Sequence, residues 1–136
     1  MPHASGILEL LKNFKIAIID DDDLVREGIE SLLRSLHYEV DTFASAAEYL
    51  ACNRAHGYSC IVSDMQMPNM TGIDLQKRLL QDGFSIPIIF MTASPTEALT
   101  RRVMDAGAVG FLCKPLKIES LIEYLGQVFK RKFEER

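Results

Sequence analysis

A few polar residues of this 136-residue chain could do chemistry together: the run Asp20-Asp21-Asp22-Asp23, and far downstream Asp64, Thr92 and Lys114. Carboxylates drawn into one place repel each other unless a hard cation lies between them, and an all-oxygen ligand set suits magnesium. Magnesium keeps several waters and takes only a few protein ligands, so such a site has open positions that a phosphoryl group can fill. A threonine hydroxyl and a lysine ammonium then supply what that group needs, a hydrogen-bond donor and a point charge on a flexible stem. Singly, each residue has an ordinary explanation. The acidic run could be a solvated loop at the start of a helix, Asp23 above all. Asp64 could be a turn residue, Thr92 a cap for a helix beginning near Pro95, and Lys114 a surface lysine. Their joint placement decides between the two readings.

That placement follows from the elements. From Lys15 onward, short β-rich apolar runs alternate with longer segments of helical spacing, the rhythm of a parallel α/β sheet covered on both faces. The expected strands are Ile16 to Ile19, Glu39 to Phe43, Cys60 to Ser63, Ile86 to Met91 and Val109 to Cys113, with the first, third and fourth apolar enough to lie centrally. The expected helices are Leu24 to Leu36, Ala46 to Asn53 behind Ser45 as N-cap, Gly72 to Gln81 before the turn Asp82-Gly83, Thr96 to Ala106 before Gly107, and Ile118 to Lys132. The first should turn Val25, Ile29, Leu32, Leu33 and Leu36 inward, and the last Leu121, Ile122, Leu125, Val128 and Phe129. Ligands of such sheets bind beyond the carboxyl ends of the strands. The first run leads into Asp20-Asp21-Asp22-Asp23, the third ends at Asp64, the fourth at Thr92 and the fifth at Lys114-Pro115, all on one edge.

Composition narrows the rest. The length and 48% hydrophobic content suit one domain, and the formal charge of -4 gives no reason to expect a nucleic-acid or membrane surface. No apolar run approaches the ~20 residues of a spanning helix, and Met1 to Leu11 reads as neither signal peptide nor anchor. Cys52, Cys60 and Cys113 suggest neither a disulfide framework nor a zinc site and suit a reducing cytoplasm. Met65, Met67 and Met70 read as loop and gap-filling residues, since no Cys or His joins them as soft-metal ligands. Residues 1–14 form an N-terminal extension, with room for a turn of helix, ahead of a domain spanning 15–136.

Four segments together resemble a known family, the receiver domains of two-component response regulators. They are Ile16-Ala17-Ile18-Ile19-Asp20-Asp21-Asp22 followed by Val25-Arg26, Ile61-Val62-Ser63-Asp64-Met65-Gln66-Met67-Pro68-Asn69-Met70-Thr71-Gly72, Pro87-Ile88-Ile89-Phe90-Met91-Thr92-Ala93, and Ala106-Gly107-Ala108-Val109-Gly110-Phe111-Leu112-Cys113-Lys114-Pro115. Within the family the sequence looks closest to receivers of nitrogen-fixation and LuxR-type regulators. The resemblance implies a flavodoxin-like, doubly wound sheet of five parallel strands in the order 2-1-3-4-5, with five helices on its two faces.

It also implies roles. Asp64 would be the phosphoacceptor, Asp21 and Asp64 direct ligands of Mg2+, the Gln66 backbone carbonyl a third, and Asp20 a ligand through water. Thr92 would contact one phosphoryl oxygen and report phosphorylation, Lys114 would pair with another, and Lys114-Pro115 would be cis. Phe111 occupies the aromatic switch position without a hydroxyl, although plain core packing would also explain it. Gln66 and Ser94 sit where the family tunes dephosphorylation. The implied donor is a sensor histidine kinase or phosphotransfer protein. The output would be a conformational signal from the last two expected helices and the strand between them, to an effector domain or protein or through a phosphorylation-dependent homodimer, with no nucleic acid bound by this domain. The chain is then a switch rather than an enzyme beyond its own phosphorylation and dephosphorylation. Two alternatives stand beside this reading. A haloacid dehalogenase-type phosphohydrolase would use Asp20 and Asp22 as its Asp-x-Asp pair, but beyond Lys114 the acidic residues are Glu119, Glu123, Glu134 and Glu135, in or after a helix. The other is a receiver-like docking module that is not phosphorylated.

Overall fold

The computed structural model describes residues 4–53 and 55–134, without the side chains of 4, 5 and 56. The ends of the expected extension and domain, residues 1–3 and 135–136, lie outside the described residues. The strands are β1 (Lys15–Ile19), β2 (Glu39–Phe43), β3 (Cys60–Asp64), β4 (Ile88–Thr92) and β5 (Gly110–Cys113). The helices are α1 (Ala4–Leu11), α2 (Asp23–Ser35), α3 (Ala46–Ala51), α4 (Gly72–Gln81), α5 (Glu97–Asp105) and α6 (Ile118–Glu134). All neighbouring strands are parallel, in the order β2-β1-β3-β4-β5. The doubly wound five-stranded sheet with its 2-1-3-4-5 order is therefore present, with β1, β3 and β4 inside, because those are the runs that are apolar on both sides. The extension adds α1 to the five expected helices, a full two-turn segment that buries Leu11 and leaves Ile7 and Leu8 exposed.

Alternation along the strands splits the core in two. Ala17, Ile19, Ile61, Ile88 and Phe90 point to one face and pack with Tyr49, Leu75, Leu79 and Val103 from α3, α4 and α5. Ile16, Ile18, Val62, Ile89 and Met91 point to the other and pack with Ile29, Leu33, Leu121, Leu125 and Val128 from α2 and α6. Met65 and Met67 are buried in the first cluster and Met70 packs against it, as gap-filling residues should. Two apolar positions differ from expectation. Leu36, at 38% exposure, is the C-cap of α2, where the helix has already ended, and Ile122, at 37%, falls between the buried ridge positions Leu121 and Leu125.

The helix punctuation is largely local. Ser45 caps α3 by accepting the Glu48 amide, and Thr71 and Asp74 form a reciprocal capping box on α4. Gly83 and Gly107 follow α4 and α5 in the left-handed region, at φ 84° and 103°. There the amides of Phe84 and Ala108 reach back to the carbonyls of Leu79 and Val103. Strand β4 begins after Pro87 rather than at Ile86, and runs on to include Thr92.

Candidate functional site

Register brings the polar residues to one place. Ile19 pairs with Ser63 and Asp64 with Met91, so Asp20 comes level with Asp64. Thr92 pairs with Cys113 one step further out, and Lys114 follows a step beyond. Only a long side chain can reach back over that stagger. Lys114 Nζ lies 3.0 Å from Asp20 Oδ2 and 3.4 Å from Asp64 Oδ2, and the Lys114-Pro115 bond is cis.

Asp20 is fully buried, and its Oδ1 accepts the Asp22 amide at 2.9 Å. Its carbonyl accepts a hydrogen bond from Arg26 Nη1 at 2.6 Å, while Arg26 Nη2 pairs with Asp23. Asp64 Oδ1 accepts the Gln66 amide at 3.3 Å. One carboxylate oxygen from each of Asp20, Asp21 and Asp64 lies within 4.8 Å of the others, with Asp21 on the solvent side. Three carboxylates thus meet, two of them sharing the ammonium of Lys114, and such an all-oxygen set, closed on one side and wet on the other, fits the demands of magnesium.

The electrostatics agree with that fit. Burial, and then the Asp20 carboxylate beside it, hold the Asp64 carboxyl above the ordinary carboxylate range, against the opposing pull of Lys114 and the Gln66 amide. Burial alone would depress Lys114, but its hydrogen bond to Asp20 and the charges of Asp20 and Asp64 outweigh burial and raise it. Lys114 therefore stays an ammonium, while at Asp64 burial and the neighbouring Asp20 outweigh it.

The ordinary readings can now be placed. The N-cap of α2 is Asp22, which accepts the amides of Leu24 and Val25, whereas Asp23 stands in the first turn and pairs with Arg26. Thr92 caps nothing, since Thr96 caps α5. Lys114 is part-buried between two carboxylates and not a free surface lysine. Thr92 is fully buried, donates to Gln66 Oε1 at 3.1 Å and accepts the Ser94 amide at 3.1 Å. Phe111 pairs with Phe90 two positions before the Thr92–Cys113 pair, so Thr92 and Phe111 project from the same face of the sheet. Half-buried, Phe111 packs against the cluster of that face, and Ser94 is exposed.

Three contributions escape sequence reasoning. Arg26 ties the Asp20 loop to the first turn of α2, and its spacing to Asp23, three residues along a helix, is a signal that could have found it. The Gln66 side chain holds Thr92 across a sequence gap that no local pattern spans. Gly72 lets α4 start against the site: a Cβ there would sit 2.8 Å from the Asp64 carbonyl oxygen and 2.9 Å from the Phe90 ring.

Comparison with known proteins gives a consistent picture. The profile of the response regulator receiver domain matches residues 16–126. The response regulator protein TodT of Pseudomonas putida is 37% identical over 107 residues, 79% of this chain and 47% of that protein. Nodulation protein W of Bradyrhizobium diazoefficiens is 36% identical over 108 residues, 79% of this chain and 48% of that protein. The chain spans about half the length of the curated relatives it matches. Among solved structures, the response regulator StyR superposes with a TM-score of 0.82 at 40% identity, over 91% of this chain and 63% of that one. Chemotaxis protein CheY4 of Vibrio cholerae superposes with a TM-score of 0.76 at 31% identity, over 85% and 98%.

Proposed function

Because the chain belongs to the response regulator receiver domain family, we propose that Asp64 is the phosphoacceptor of a Mg2+-dependent switch, fed by a sensor histidine kinase or a phosphotransfer protein. The observation that carries this reading is the meeting of Asp20, Asp21 and Asp64 at one sheet edge with Lys114 bridging two of them. Asp21 and Asp64, with the Gln66 backbone carbonyl, would hold the metal directly and Asp20 through water. Bound there, magnesium would neutralise the carboxylates and the charge spread over the phosphoryl oxygens.

The chain's own residues do the rest. An Asp64 oxygen attacks the phosphorus of a donor phosphohistidine in line with the leaving imidazole nitrogen; the P–N bond breaks, and an acyl phosphate forms as the donor histidine is released. Lys114 moves its ammonium from the Asp64 carboxylate to a phosphoryl oxygen, and the Thr92 hydroxyl donates to another. Water later cleaves the acyl phosphate to free Asp64 and inorganic phosphate, with Gln66 and Ser94 at the mouth of the site setting its access. The output is a shift in conformation rather than a product. As Thr92 moves toward the phosphoryl group, Phe111 fills the vacated space, and the face of α5, β5 and α6 changes its affinity for an effector domain, an effector protein or a second copy. Residues 15–136 are the switch and 1–14 its extension. Among the described residues no helix is long and apolar enough to cross a membrane, and a cytoplasmic setting suits the donor.

A phosphohydrolase built on Asp20 and Asp22 is not favoured: Asp22 is spent capping α2, and Glu119, Glu123 and Glu134 lie on α6. Acetyl phosphate with Mg2+, followed by intact mass, tests the assignment. A phosphoryl adduct is expected on wild type and none on Asp64→Asn. An adduct that persists in Asp64→Asn and vanishes in Asp20→Asn would overturn it, and no adduct on wild type would favour the docking module.

A further inference from the structure

The Thr92 hydroxyl is already committed in this conformation. It is fully buried, accepts the Ser94 amide and donates its single proton to Gln66 Oε1 at 3.1 Å. A donation to a phosphoryl oxygen on Asp64 would need that same proton, so the two hydrogen bonds exclude each other. We infer that Gln66 is a positioning residue whose side-chain carbonyl latches Thr92 in the unphosphorylated conformation, and that Thr92 can report a phosphoryl group only by exchanging this partner. The inference rests on Asp64 being the phosphoacceptor.

Three features make the exchange a workable threshold. Thr92 is fully buried, so leaving its hydroxyl without an acceptor is costly, and the phosphoryl oxygen is a replacement rather than an addition. Gln66 is exposed, so its amide carbonyl returns to water at little cost when released. The Gln66 amide also donates to Asp64 Oδ1 at 3.3 Å, so chemistry at Asp64 acts directly on the residue that holds the latch. Part of any phosphoryl group's binding free energy then goes into opening the latch, which lowers its apparent affinity.

Beryllofluoride, a phosphoryl mimic that attaches to the acceptor carboxylate, tests this with saturating Mg2+ and amide NMR as readout. Gln66→Met keeps the side-chain length and the backbone carbonyl but removes the acceptor, and Thr92→Val removes the donor at constant shape. Gln66→Met is expected to bind beryllofluoride about three- to tenfold more tightly, with its Ser94 amide displaced toward the bound position before any addition. The same substitution made in Thr92→Val should change nothing. Unaltered or weaker binding by Gln66→Met would overturn the latch, as would equal tightening in the Thr92→Val background, which would place the effect outside Thr92. Failure of the wild type to bind beryllofluoride would overturn the phosphoacceptor assignment itself.

Discussion

The surroundings of Asp64 disfavour its ionised form. Its carboxyl sits above the ordinary range through burial and the neighbouring Asp20, so ionising it costs the folded state more than the unfolded one. The related stability is complete below the ordinary carboxylate range and is lost as pH rises through the elevated folded value. Asp64→Asn, which removes the charge at nearly constant shape, should therefore melt several degrees above wild type in chelator at neutral pH, with the gap closing on acidification. Added Mg2+ should raise the wild-type melting temperature and leave the variant nearly unmoved. Differential scanning calorimetry with and without Mg2+ checks both. Arg26 acts on the same site at one remove: its hydrogen bond to the Asp20 carbonyl fixes the loop that carries Asp20 and Asp21. Arg26→Ala should weaken Mg2+ binding about tenfold by isothermal titration, and Arg26→Lys should recover part of it. Unchanged affinity in Arg26→Ala would remove that role.

The helix ends explain why the elements stop where they do, and one of them stops at a cost. The turns after α4 and α5 use glycine in the left-handed region, but the same turn after α2 uses His37 at φ 71°, with the Tyr38 amide reaching back to the Leu33 carbonyl. A residue with a Cβ is strained there by about 1 kcal/mol, and glycine escapes that at some cost in unfolded-chain entropy. His37→Gly should stabilise the fold by up to about 0.5 kcal/mol in urea unfolding with an unchanged slope. A loss of stability would mean that the His37 side chain makes up for its backbone. The exposed Leu36 belongs to the same turn: α2 has ended, so helical spacing no longer says which way that side chain points. Ile122 shows the complementary effect on α6, where the sheet beneath accommodates the ridge of Leu121, Leu125 and Val128.

Across the whole molecule two packed faces meet at the sheet, and the proposed switch would have to act through both. Thr92 and Phe111 belong to the face covered by α3, α4 and α5, and β5 leads directly into α6 on the other. Phe111→Ala should leave beryllofluoride binding within about twofold of wild type, since the ring supplies no polar group to the site, but should reduce the accompanying amide shifts in α5, β5 and α6. Equal shifts in the variant and wild type would uncouple Phe111 from the output face. The sequence by itself determined what is local or periodic: which runs are strands, which are central, the caps at Ser45 and the turns at Gly83 and Gly107, and that Asp20, Asp64, Thr92 and Lys114 end strands on one edge. Hydrophobic alternation and turn chemistry act within a few residues, so they can be read directly from the chain. Only the tertiary structure decided that Lys114 bridges Asp20 and Asp64, that Asp22 rather than Asp23 caps α2, that Arg26 holds the Asp20 carbonyl and that Gln66 holds Thr92. Most of these contacts depend on strand register and stagger and on side-chain reach across separated segments, and the choice between adjacent aspartates on the backbone angles at one helix start, none of which composition or spacing encodes.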